Sequence, residues 1–152
     1  MVYRTILFLV INFLALGLGG LFTGSGVTSK WYQELAKAPW TPPGWVFGAA
    51  WTVIMICFAF YMSYLLASKE SKTMVLSLFV LQWLLNVAWN PIFFHYHNVF
   101  VALIVIFALT LLTAFFLFYF LADLKFKSLF VLPYFLWLCI ATSLNAYILV
   151  NN

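Results

Sequence analysis

Residues 73–94 read TMVLSLFVLQWLLNVAWNPIFF, a stretch with no Asp, Glu, Lys or Arg. A run of about 20 predominantly apolar residues is the length at which a helix crosses a hydrocarbon core of roughly 30 Å. Within it Gln82, Asn86, Trp89, Asn90 and Phe93 recur at spacings of three and four, which gathers them on one helical face. A polar face inside a bilayer turns toward other helices. The other spanning architecture, a closed β-barrel, would show segments of about ten residues alternating apolar and polar. That alternation is absent.

Four further stretches have the same character, so the expected spans are residues 5–22, 46–67, 73–94, 99–121 and 128–150. Arg4, the apolar run behind it and the glycines at 19, 20 and 24 resemble a secretory signal. No small-x-small cleavage pattern follows, however, and the run exceeds the about 7 to 15 residues of a signal's apolar region, so it is read as a span. The connections at 68–72, 95–98 and 122–127 are short, and short connections make neighbouring helices antiparallel. The expected fold is an all-α membrane protein, a single five-helix bundle over residues 1–152.

Composition agrees. Of 152 residues 67% are hydrophobic and 7% charged, against about 25% charged in a soluble domain. Three acids and seven bases cannot cover a soluble surface. A net charge of +4 suggests nucleic acid, yet Arg4, Lys30, Lys37, Lys69, Lys72, Lys125 and Lys127 are scattered and form no basic stripe. Lipid is the expected surroundings and nucleic acid is not an expected partner. Five bases fall on the side of the amino terminus and two, Lys30 and Lys37, on the other, which predicts a cytoplasmic amino terminus. Cys57 and Cys139 lie inside apolar runs and read as small hydrophobes.

The first connection, residues 23–43, is too long for a simple link and holds Trp31, Tyr32, Pro39, Trp40, Pro42 and Pro43. Its aromatics fit either an interfacial belt or a lid. The prolines and Gly44 favour a stiff loop returning to the membrane surface, which suits a cap over a cavity.

No charge lies near the middle of any span, which disfavours ion-coupled pumping. The polar groups inside are Asn12, Gln82, Asn86, Asn90, Thr110, Thr113, Thr142, Ser143 and Asn145. The amides of the third span fit either interhelical hydrogen bonds or a ligand's polar edge. Pro91 removes a backbone donor near the end of that helix. Pro133, Trp137, Ala141 and Leu144 or Asn145 form a stripe in the fifth span, and Trp51, Met55, Phe58 and Ala59 another in the second. Ala59, Ser63 and Ala67 make a ridge of small residues for close helix contact, within the bundle or between subunits. His95 and His97 have no carboxylate or thiol beside them, so a structural or interfacial role is expected, with haem ligation the alternative, and no metal site is expected. No nucleophilic or paired-carboxylate constellation is present, so ordinary catalysis is not expected.

Five separated pieces carry a resemblance: Trp31-Tyr32; W-T-P-P-G-W from Trp40 to Trp45; Trp51-Thr52; Gln82 with Asn86, Trp89, Pro91 and Phe93-Phe94; and P-Y-x-x-W-x-x-x-A-T-x-x-N from Pro133 to Asn145. In these the chain is similar to the TspO/MBR family, the tryptophan-rich sensory proteins related to the mitochondrial translocator protein or peripheral benzodiazepine receptor. The resemblance implies a five-helix bundle, commonly a homodimer, in a bacterial cell membrane here. It implies a pocket covered by the first loop that takes porphyrins such as protoporphyrin IX or haem, and benzodiazepine or isoquinoline-carboxamide compounds, with no obligatory cofactor. Carried over by motif, Tyr32, Trp40, Pro42, Pro43 and Gly44 belong to the lid. Trp51, Asn86, Trp89, Trp137 and Ala141 line the pocket, with Gln82 and Phe93 on the same face as Asn86.

The expected role is a receptor or sensor in tetrapyrrole regulation or transport. The alternative the resemblance implies is an enzyme degrading protoporphyrin with light and oxygen, with Trp51 and Trp137 as electron donors or quenchers. The sterol-recognition motif of animal members needs a base after a late Tyr. Tyr147 is followed here by none.

Overall fold

The computed structural model describes residues 1–69 and 71–152. Five helices are long and apolar enough to cross a membrane: α1 (Val2–Val27), α3 (Gly44–Ser68), α4 (Lys72–Asn90, prolonged by a turn to His95), α5 (Val99–Tyr119) and α7 (Leu132–Asn151). Two short helices, α2 (Lys30–Glu34) and α6 (Leu121–Leu124), sit in connections. There is no strand among the described residues. The connection expected at 68–72 includes residue 70, which lies outside them.

The five long helices pack as a ring in the order α1, α3, α7, α5, α4 and back to α1. A smaller cluster of Phe93, Phe94, Ala102 and Ile148 packs between helices at one end of the ring, and the main core fills the other. Phe8 of α1, Phe58, Tyr61 and Met62 of α3, Val75 and Phe79 of α4, Phe116 of α5 and Tyr134 and Leu138 of α7 are all buried at that end. These come from the amino-terminal parts of α1, α4 and α7 and the carboxyl-terminal parts of α3 and α5, as an antiparallel bundle requires. At this closed end Lys69 pairs with Asp123 at 2.7 Å, tying α3 to α6.

Inside a bilayer polar side chains find partners on neighbouring helices. Thr5 donates to Ser63 Oγ (3.0 Å) and Asn12 to the Met55 carbonyl (3.0 Å), joining α1 to α3. Trp83 Nε1 donates to the Ile11 carbonyl at 3.0 Å, joining α4 to α1. Thr110 and Thr142 meet at 2.9 Å between α5 and α7. Ala59 and Ser63 are fully buried while Ala67 is exposed, so the small-residue ridge of the second span serves packing inside the bundle.

Most span boundaries shift by a few residues from those the sequence predicts, and three of the shifts have a local cause. The first span runs to Val27 and not to 22. The hydroxyls of Thr23 and Thr28 bond back to the carbonyls of Gly19 (3.0 Å) and Gly24 (3.3 Å), so the glycine-rich end stays helical. The fifth begins at Leu132 and not at 128, because 125–130 forms a 3-10 turn after Lys125 (φ 51°) and Pro133 suits the first turn of the new helix. The third does not stop at 94: the missing N–H of Pro91 opens a π turn, Pro91–His95, closed by the Tyr96 N–H to the Pro91 carbonyl at 3.0 Å.

Candidate functional site

At the end opposite the filled core the ring stays open around a cavity of about 760 Å³. Its walls are the carboxyl-terminal half of α1, the amino-terminal half of α3, the end of α4 with its π turn, and the end of α7. The volume is that of a small-molecule site.

The residues after α1 close over this opening. Ser29 caps α2 by accepting the Tyr32 N–H at 3.2 Å. Trp31 stacks on His97 at 4.0 Å, and Tyr32 packs on Phe94 at 5.6 Å, fixing α2 to the π turn. Farther along, the Ala36 backbone exchanges two hydrogen bonds with the Asn152 side chain, at 2.8 and 3.1 Å. The Trp40 indole donates to Ser143 Oγ at 3.1 Å, with its ring edge-on to Tyr147. The lid expected over 23–43 is therefore shorter, from Thr28 onward, and pinned at three places.

Tyr32, Pro42, Gly44, Trp51, Asn86, Trp89, Phe93 and Ala141 all line the cavity. Trp89 and Phe93 stack at 5.0 Å and make one aromatic wall. Trp51 stands on the α3 wall, braced edge-on by Tyr134. Asn86 is 8% exposed, and its amide has no hydrogen-bonding partner among the described residues. Burial pushes the Tyr32 phenol above its ordinary pKa, so it stays protonated and able to donate.

Four expected residues do not line the cavity, Gln82 and Trp137 of its expected walls and Trp40 and Pro43 of the lid. Gln82 is buried one turn below Asn86 and donates to the Tyr134 hydroxyl at 2.7 Å, so it belongs to the filled core. Trp137 is screened by Phe47, whose ring meets it edge-on at 5.3 Å and lines the cavity in its place. The Trp137 indole N–H is buried without a partner among the described residues. Trp40 acts on the lid's outer side, 54% exposed, and Pro43 only starts α3.

The wall that sequence reasoning missed is α1. Ala15, Gly19 and Thr23 recur at four and face the cavity. A Cβ at Gly19 would lie 2.7 Å from Asn90 Nδ2, and one at Gly26 would clash with Cβ, Cγ and Cδ1 of Phe94. Glycine at these two positions lets α1 reach the end of α4. The available signal was that small-residue spacing. Asn145 also lines the cavity, but its amide is engaged by Trp89 and by the Val99 carbonyl. His95 meets Phe22 edge-on, and no set of three His, Cys, Asp or Glu that could hold a metal occurs among the described residues.

A model described as the TspO/MBR family matches residues 7–150. The chain is similar to the tryptophan-rich protein TspO of Chlorobaculum tepidum, 32% identical over 86% of this chain and 87% of the relative. It is similar to the protein of the same name from Archaeoglobus fulgidus, 31% identical over 94% of each. The human translocator protein is 38% identical over 49% of this chain and 49% of its own.

Proposed function

This chain belongs to the TspO/MBR family of membrane proteins, and from that premise we propose that it is a receptor or sensor that binds a porphyrin in the cavity beneath its first loop. The observation that carries the reading is one polar group in an aromatic enclosure. The Asn86 amide faces the cavity with no partner among the described residues, between Trp51 on α3 and the Trp89–Phe93 stack on α4. A broad π system fits against such walls by offset or edge-on contact, and one amide supplies orientation through a carbonyl or carboxylate. Isoquinoline-carboxamide and benzodiazepine compounds share these features, being flat, apolar and carbonyl-bearing.

The charge distribution supports a cytoplasmic amino terminus in a bacterial cell membrane, with the closed end inward and the lidded mouth outward. Pairing of two copies belongs to the same proposal, as does a part in tetrapyrrole regulation or transport. Titration of the purified protein with protoporphyrin IX tests the reading. Quenching of tryptophan fluorescence with a shifted porphyrin band is expected, and the absence of both overturns it.

The placement of Trp51 favours a second reading, degradation of the porphyrin under light and oxygen, since its ring lines the cavity in which the macrocycle is proposed to lie. Trp137, behind Phe47, does not. On this reading Trp51→Phe slows bleaching more than Trp137→Phe does. Equal bleaching in both variants, in the parent protein and in empty detergent overturns it.

A further inference from the structure

Lys37 is the only charged side chain among the described residues that line the cavity. It is half-buried, with Nζ 4.6 Å above the centre of the Tyr32 ring. Its hydrogen bonds are the long ones to the Gln33 and Leu35 carbonyls, at 3.4 and 3.5 Å. No carboxylate among the described residues forms an ion pair with it: Glu34 faces Lys30 at 3.7 Å, Asp123 pairs with Lys69 at the far end of the bundle, and Asn152, bonded to the neighbouring Ala36 backbone through its side chain, makes no ion pair with it. A partly desolvated cation at the rim of an apolar enclosure is held below the stabilisation it would have beside an anion.

From this we infer that the cavity is built for an amphipathic acid, whose carboxylate sits on Lys37 at the mouth while its apolar body lies inward against Trp51 and Trp89. The inference rests on the proposed function and adds the ligand's charge and its direction of entry. The Tyr32 hydroxyl, which has no protein partner among the described residues, supplies a second donor at the same rim. Asn86, deeper in, is left for a second carbonyl or carboxylate oxygen of the same ligand. Neutral ligands of similar shape lack the contact at Lys37 and depend on the walls and Asn86 alone.

The test compares protoporphyrin IX with its dimethyl ester, which keeps the macrocycle and removes both charges. Fluorescence titrations are run on the full chain in detergent, for the parent protein, Lys37→Gln and Lys37→Arg. A charge-assisted contact of this kind is worth on the order of tenfold in affinity. The diacid is expected to bind Lys37→Gln about tenfold more weakly, Lys37→Arg to restore most of the loss, and added salt to weaken the diacid only. The diester is expected to bind all three proteins alike. If Lys37→Gln changes neither ligand, or weakens both equally, the anchoring role is overturned while porphyrin binding stands. If the parent protein binds neither ligand, both proposals fall.

Discussion

The indole Nε1 of Trp89 donates a 3.0 Å hydrogen bond to the side-chain oxygen of Asn145, and the Asn145 amide nitrogen donates at 3.0 Å to the carbonyl of Val99. Three helices, α4, α7 and α5, are thus joined at one amide beside the cavity. Trp137, about two turns down α7, has a buried indole N–H with no partner among the described residues. Replacing either tryptophan by phenylalanine removes a similar volume, but only Trp89→Phe also leaves an acceptor without its donor. Interhelical hydrogen bonds in membranes average about 0.6 kcal/mol, and a stranded acceptor adds to that. Trp89→Phe is therefore expected to destabilise by about 1 kcal/mol more than Trp137→Phe. Unfolding in mixed micelles with increasing dodecyl sulfate measures the difference, and equal costs would mean that the Trp89 bond contributes nothing.

Glycine substitutions in α1 should separate by what a Cβ meets. At Gly26 it would clash with the base of the Phe94 side chain, and at Gly19 it would meet the Asn90 side chain, which has some freedom to turn away. At exposed Gly17 it meets nothing. Gly26→Ala is expected to cost about 1 to 3 kcal/mol through overpacking, and Gly19→Ala less. Gly17→Ala should gain up to about 1 kcal/mol from helix propensity. The same micelle titration checks the order; destabilisation by Gly17→Ala as large as by Gly26→Ala would contradict this packing.

These glycines also show where the sequence was legible and where it was not. Hydropathy and charge placement located all five spans, because lipid imposes one dominant constraint on each. The end of α1 was hidden, since Gly19, Gly20, Gly24 and Gly26 look like a turn until Phe94 and Asn90 are found packed against two of them. Helical periodicity put Gln82 and Asn86 correctly on one face of α4. Depth along that face is a different quantity: it is set by Tyr134 on α7, which takes Gln82 into the core and leaves Asn86 above it. Trp137 is displaced from the wall by Phe47, a neighbour 90 residues away that no stripe on α7 reveals.

Trp40 holds the lid from outside. Its bond to Ser143 and its edge-on contact with Tyr147 attach the loop to α7 without touching the cavity. Trp40→Phe removes the bond and keeps most of the ring contact. A single exposed hydrogen bond of about 1 kcal/mol corresponds to roughly fivefold. Protoporphyrin IX is expected to leave Trp40→Phe up to about fivefold faster in stopped-flow competition, with a similar quenching amplitude at saturation because Trp51 stays in place. A loss of amplitude with unchanged release would instead place Trp40 against the ligand.

Asn86 offers the sharpest division between stability and binding. A buried amide bonded within its own helix bundle is costly to remove, as Gln82 should be, its Nε2 on the Tyr134 hydroxyl while its Oε1 is buried with no partner among the described residues. The Asn86 amide satisfies no protein group among the described residues and faces the cavity. Asn86→Leu, close in shape and wholly apolar, should leave the unfolding midpoint unchanged or raised, because it removes a polar group from an apolar wall. The same substitution should weaken protoporphyrin IX by about five- to thirtyfold, the equivalent of one lost hydrogen bond of about 1 to 2 kcal/mol. Gln82→Leu serves as the contrast, with stability lowered by about 1 kcal/mol or more through the stranded Tyr134 hydroxyl, and affinity nearly unchanged. A large fall in stability for Asn86→Leu with no change in affinity would assign that amide to the framework and remove the main support for a ligand at this wall.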